Sequence, residues 1–147
     1  MIETSLDKLD KRIRPLADQL LGLAEQAGIR LRVINTLRTH EQQASNIANG
    51  VSWTKHSLHL PQPPDGLSLA FDVCPIEYLA IKNWNPTGPK WWIIAELGVS
   101  LGLGSGMDWH DVGIPPIGET RRAWDPGHFD LRAARRADLL ALKKPIS

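Results

Sequence analysis

A chain of 147 residues with 42% hydrophobic and 22% charged side chains can bury one core unaided and is neither disordered nor fibrous. Its formal net charge of +1 gives no reason to expect nucleic acid as a partner, and no apolar run approaches the ~18 residues of a membrane span. The lone cysteine, Cys74, excludes an internal disulfide and reads as an inert buried thiol of a reducing cytoplasm.

No repeat, low-complexity tract or linker divides the sequence, so residues 1–147 read as a single domain without a separate binding module. Met1 to Lys8 shows no basic stretch leading into an apolar one, so no secretory signal is expected. From Pro15 to Ala27 the residues Leu16, Leu20, Leu21, Leu23, Ala24 and Ala27 recur at helical spacing, with Gly28 as the stop. Ile29 to Thr36 is branched and alternating, which predicts a strand. Thr39-His40-Glu41-Gln42 is a capping box opening a second helix that ends near Gly50, and it leaves Arg38 on the strand-to-helix turn.

Leu67 to Val73 alternates strictly, with Leu67, Leu69, Phe71 and Val73 on a core face and Ser68, Ala70 and Asp72 opposite. A third helix is expected from about Pro89 to Leu101, closed by Gly102, and Gly104 to Trp109 reads as a turn into a strand. Trp124 to Leu131 reads as a strand or strand end carrying His128. Ala133 to Leu142 reads as a last helix with Arg132, Arg135 and Arg136 on a solvated face. Trp91 and Trp92 belong to the core on this reading, while Trp53, Trp109 and Trp124 adjoin polar clusters and wall a cleft. The order of elements is that of an α+β domain.

Two polar clusters carry the chemistry. Asp125-Pro126-Gly127-His128 sets a carboxylate three residues from an imidazole, and upstream Thr54 to His59 supplies two more imidazoles, His56 and His59. Asp72 stands on the small-residue face of its strand. Two imidazoles and one carboxylate from separate segments make a three-ligand zinc set with a fourth position open, as in catalytic rather than structural zinc. His128 and Asp72 fill two of those places, and His56 and His59 compete for the third. Asp125 is the candidate general base, taking a proton from water and passing one to a leaving amine. Arg38, whose charge cannot be lost, either stabilises an oxyanion or holds a substrate carboxylate; a plain ion pair with Glu41 is the duller reading. Together these roles spell amide hydrolysis. His40 is expected to face solvent, and His110 is open between a contact behind the site and plain surface.

Taken in order, Arg38-Thr39-His40-Glu41-Gln42, then Thr54, Ser57 and His59, then Gly66, Ser68, Ala70 and Asp72, then Asp108-Trp109, and last Asp125, His128 and Phe129 form a familiar series. It resembles the zinc D-alanyl-D-alanine carboxypeptidase family, whose members include bacteriophage endolysins that are L-alanyl-D-glutamate peptidases. The likeness runs from about Ser5 to Leu131. It implies a small domain with a central antiparallel sheet flanked by helices, an architecture shared with the hedgehog signalling domain. It also implies one zinc ion held by His59, Asp72 and His128, with Asp125 as catalytic base and Arg38 assisting at the substrate carbonyl. His59 is favoured over His56 because the Thr-x-x-Ser-x-His pattern ends on it. Gln42, Ser57, Asp108 and Trp109 are the implied substrate-binding residues. The departure is Leu60 to Asp65, which lengthens the usual spacing between ligand histidine and glycine. A proline-rich loop there can bulge out without moving either ligand, because added loop length costs little.

The implied substrate is the peptidoglycan stem peptide, cut between L-alanine and D-glutamate by a monomeric phage or prophage endolysin. Such an enzyme is made in the host cytoplasm and reaches the wall after release, without stable membrane insertion. Two other readings are a D-alanyl-D-alanine carboxypeptidase or dipeptidase, and a zinc-bearing binding module that does no catalysis. The intact Asp125 speaks against the second, since a binding module has no use for that carboxylate.

Overall fold

Helix α1 (Arg14–Gln26) carries Pro15 in its first turn, where a missing N–H costs nothing, and buries Ala17, Leu20 and Ala24. Strand β1 (Leu31–Asn35) follows, then helix α2 (His40–Ala48). Thr39 caps α2 as its sequence requires. Its side chain accepts the Gln42 N–H while the Gln42 side chain accepts the Thr39 N–H. Strand β2 (Ala70–Pro75) leads into the short helix α3 (Ile76–Ala80), and helix α4 (Pro89–Ser100) precedes the two-residue strand β3 (Gly104–Ser105). Strand β4 (His128–Asp130) and helix α5 (Arg132–Lys143) complete the order. This computed structural model describes residues 2–49, 57–81, 88–121 and 124–143; Trp53, Thr54 and His56 lie outside the described residues.

The strands form one antiparallel sheet in the order β1-β2-β4-β3. Phe71 and Val73 of β2 and Phe129 of β4 point to one side, where the Phe71 and Phe129 rings stack at 5.7 Å. Helices α1 and α4 meet each other and join that core, with Trp91, Trp92, Ile94 and Ala95 buried and Gly98 lying over the Phe129 ring. Each large apolar side chain buried there contributes roughly 1.5–3 kcal/mol, so this packing fixes where the strands lie. Cys74 is buried and donates to the Pro75 carbonyl, and burial pushes its thiol up to about 11, as an inert thiol requires.

The opposite side of the sheet is polar. Register sets Asn35 of β1 across from Asp72 of β2, and Asp72 across from His128 of β4. Three consecutive strands thus present one row of polar side chains, and a break in the β1–β2 register between Val33 and Asn35 brings Asn35 into it.

Several boundaries depart from the sequence reading. The strand expected from Leu67 begins only at Ala70. Ser68 is diverted by pairing with the N-terminal segment, through the Asp10 and Lys8 backbones, and by bonding its own hydroxyl to the Ala70 backbone. Near Gly104 the strand precedes the turn instead of following it, because β3 pairs with β4 through Gly104 and Ser105. Arg132 is not on a solvated face: its guanidinium is turned inward onto Asp130 and the Ser105 and Asp108 carbonyls. Arg136 is exposed as expected. Among the described residues no helix is long and apolar enough to cross a membrane.

Candidate metal centre

His59 lies in the loop that precedes β2, and that loop is stitched at both ends. The Arg38 N–H donates to the His59 carbonyl at 2.8 Å, the Leu69 N–H to the Leu58 carbonyl at 2.9 Å, and the His59 N–H to Ser57 Oγ at 3.2 Å. The His59 ring is oriented by the Thr36 carbonyl, 2.7 Å from Nδ1. A carbonyl only accepts, so Nδ1 carries a proton, and Nε2 is the nitrogen left to face Asp72 Oδ1 at 3.2 Å. His128 reaches the same carboxylate oxygen through Nδ1 at 3.0 Å, with its Nε2 on Asp130 Oδ2 at 2.8 Å. The other Asp72 oxygen accepts from the Asn35 amide at 3.3 Å.

The three side chains offer one donor atom each, all within 4.8 Å of one another, and among the described residues no other group of histidine, cysteine, aspartate and glutamate converges this way. Tetrahedral bonds of ~2.0–2.1 Å to imidazole and carboxylate place neighbouring donor atoms about 3.3 Å apart. The His59–Asp72 and His128–Asp72 separations of 3.2 and 3.0 Å suit that spacing. The donor set, borderline imidazoles with one hard oxygen, fits a divalent ion such as zinc. Charge attraction draws the three side chains together. Burial alone would raise the Asp72 carboxyl, but the two histidines hold it well below the carboxylate range. Burial would lower the His128 imidazole, but bonds to Asp130 and then Asp72 bring it up to about 10.

Asp125 stands beside this cluster without joining it. The residue is exposed to solvent, yet protein packed round its carboxyl desolvates it, and the Asp72 charge adds to the effect. Its pKa is therefore pushed above the ordinary carboxylate value, against the pull of His128, His59 and Arg38. The turn that holds Asp125 next to His128 depends on two close backbone approaches. A Cβ on Gly106 would meet the Asp125 carbonyl at 2.0 Å, and one on Gly127 would meet the Val73 carbonyl at 2.2 Å. Arg38 is not paired with Glu41. Its Nη1 donates to Gln43 at 2.6 Å, and burial lowers its pKa while Asp72 and Asp125 oppose that. It remains charged.

The other sequence-predicted residues have visible duties. Gln42 caps α2, Ser57 braces the His59 turn, and the Asp108 carboxylate collects the Val112 and Gly113 N–H groups. Trp109 lies 4.8 Å from the His128 ring, whereas Trp124 packs on Trp92 at 5.5 Å. His40 and His110 are exposed. Sequence reasoning passed over Asn35, Thr36, Gln43 and Asp130, and set Arg132 on the solvated face instead of behind the site. Asp130 had a usable signal, since it lies two residues after His128 and a strand returns to the same face with that period. The Thr36 carbonyl had none, because backbone groups leave no mark on residue identity.

A family model described as phage L-alanyl-D-glutamate peptidase matches residues 1–132. The chain belongs to this family. Among relatives of this phage peptidase family, the L-alanyl-D-glutamate peptidase of Listeria phage A118 is 39% identical over 56 residues, 38% of this chain and 20% of that protein. The chain thus matches about a fifth of the length of that relative. Among solved structures, the L-Ala D-Glu endopeptidase ChiX of Serratia marcescens gives a TM-score of 0.57 at 18% identity, covering 92% of this chain and 93% of ChiX. VanYB in complex with D-alanine-D-alanine gives 0.52 at 18% identity, covering 92% and 84%. A vancomycin-resistance D,D-pentapeptidase VanY in complex with Zn(II) gives 0.50 at 20% identity, covering 87% and 76%. These structural likenesses establish the same fold, a four-stranded antiparallel sheet with its helices.

Proposed function

We propose that this member of the phage peptidase family is a zinc-dependent hydrolase of the peptidoglycan stem peptide, cutting the L-alanyl-D-glutamate bond as an endolysin. The observation that carries the reading is Asp125: a carboxylate next to a convergent His59–Asp72–His128 set and outside it, in a chain whose family is known by that bond. Zinc held by those three residues would supply a Lewis acid and bring the pKa of a water from ~15.7 toward ~7.

The rest falls to the protein's own groups. Asp125, with its raised pKa, accepts the proton of the attacking water and returns one to the leaving amine. Arg38 is held by Gln43 with its charge in the field of Asp72 and Asp125, where it binds the oxygen that gains charge as the carbonyl is attacked. Trp109 covers the His128 ring and keeps that side of the site dry. One domain, acting as a monomer, suffices for these roles.

The test is digestion of purified muropeptides by zinc-loaded protein, with products weighed by mass spectrometry. Free L-alanine ends on the glycan side, with release of a peptide led by D-glutamate, are expected. Release of terminal D-alanine instead would transfer the chemistry to the D-alanyl-D-alanine bond. Intact muropeptides in the presence of stoichiometric zinc would leave a binding module.

A further inference from the structure

We propose that Asp130, locked by Arg132, is a positioning residue that keeps the ring proton of His128 on Nε2 and so turns Nδ1 to the metal. This rests on the reading of His128 as a ligand.

Asp130 is buried at 2% exposure, and its two oxygens are already loaded with donors from one residue. Oδ1 accepts the Arg132 N–H at 3.1 Å and Nε–H at 2.7 Å, and Oδ2 accepts from Nη2 at 3.1 Å. A carboxylate in that embrace acts as an acceptor, so its remaining contact, 2.8 Å to His128 Nε2, must be filled by a ring N–H. With that proton held on Nε2, Nδ1, which faces Asp72 at 3.0 Å, is the nitrogen the ring frees for a metal.

Arg132 is itself fixed. Nη1 donates to the Asp108 carbonyl at 2.6 Å and Nη2 to the Ser105 carbonyl at 3.0 Å. Its guanidinium lies 5.2 Å over the Trp109 ring, which in turn lies against His128. The His128 ring is thereby held by its edge and by its face. A side chain at Gly104 would collide with Arg132, at 2.2 Å from Nε, so the strand leaves the arginine its path.

The two histidines end up presenting opposite nitrogens. His59 is backed by a neutral carbonyl and offers Nε2; His128 is backed by a carboxylate and offers Nδ1. An imidazole backed by a carboxylate is the more basic donor, and loss of such a partner typically costs 10–100-fold in metal affinity.

Histidine ¹⁵N spectra of the zinc-loaded wild type decide the geometry directly. Metallation of His128 at Nδ1 with the proton on Nε2, and the reverse at His59, is expected; metallation of His128 through Nε2 would overturn the proposal. Competition with a chromophoric chelator then measures affinity. Asp130→Asn should bind zinc roughly 10–100-fold more weakly. Arg132→Met, which keeps the carboxylate but unlocks it, should lose less. Unchanged affinity in a folded Asp130→Asn would also overturn the proposal, and should that variant not fold, the wild-type spectra stand alone. Neither readout involves substrate. A wild type with the stated tautomers that leaves muropeptides intact would sink the peptidase reading while supporting this one.

Discussion

Asp125 and His59 face the same small volume, yet the roles proposed for them separate in one experiment. The Asp125 carboxyl lies outside the three converging donor atoms, so replacing it removes a proton acceptor and leaves the metal set whole. Asp125→Asn should retain zinc by elemental analysis while kcat on muropeptides falls about 10²–10⁴-fold, the usual worth of general acid–base catalysis. His59→Ala should lose zinc and activity together. If Asp125→Asn loses its zinc as well, the aspartate is a ligand and the assigned base must be sought elsewhere. Asp72 drew notice because a carboxylate is unusual in the middle of a strand, whereas Asp125 stood out only by its spacing from His128, since aspartate is common in turns. What holds them could not. Asn35 reaches Asp72 through pairing set 37 positions away, and the Thr36 carbonyl orients His59 without any side chain. Such partners are created by register, which residue types do not spell out.

The turn from Asp125 to His128 is the element on which this arrangement hangs, and glycine fits it to the sheet. The Gly127 carbonyl accepts the Val73 N–H at 2.9 Å, and the space for a Cβ at residue 127 is occupied by the Val73 carbonyl at 2.2 Å and by Trp91 at 3.3 Å. The first neighbour is backbone and cannot swing aside. Gly127→Ala should therefore destabilise the fold by about 1–3 kcal/mol, as overpacking does, and tilt the turn so that Asp125 and His128 shift together. Thermal unfolding measures the first effect and chelator competition the second. An alanine variant with wild-type melting and wild-type zinc affinity would show that the turn tolerates displacement. Helices were legible here because caps and periodicity are local: the Thr39–Gln42 box forms as written. The β2 boundary was not. Ser68 continues the alternation of Leu67 to Val73, but its hydroxyl bonds the Ala70 backbone and its own backbone joins the segment at Lys8 and Asp10, so period two persists in sequence after the strand has ended.

Beyond the sheet, one half-buried ion group centred on Arg12 ties three remote segments. Arg12 donates to both oxygens of Asp10 at 3.0 and 3.1 Å, to both oxygens of Asp138 on α5 at 3.2 and 3.1 Å, and to the Pro63 carbonyl at 2.9 Å. The lengthened loop at Leu60 to Asp65 is therefore anchored as well as bulged. Leu60 and Gln62 are buried, and the Gln62 amide donates to the Leu60 carbonyl, which helps keep His59 in place despite the added length. Asp10 is fully buried. Burial alone would raise its carboxyl, but the side-chain bond, the backbone N–H and the charge of Arg12 hold it below its ordinary value of 3.8. A group whose pKa is depressed by folding adds stability that is complete above the unfolded value and disappears as pH falls through the folded one. Asp10→Asn, which keeps the shape but gives up the charge, should lose about 1–3 kcal/mol in denaturant unfolding at pH 7. The difference from wild type should hold at pH 5 and narrow below pH 3.8, because only the wild-type side chain then takes up a proton. A gap that stays constant or widens down to pH 2.5 would mean that the aspartate contributes packing alone, and that α5 and the proline-rich loop are tied to the domain by contacts independent of this charge.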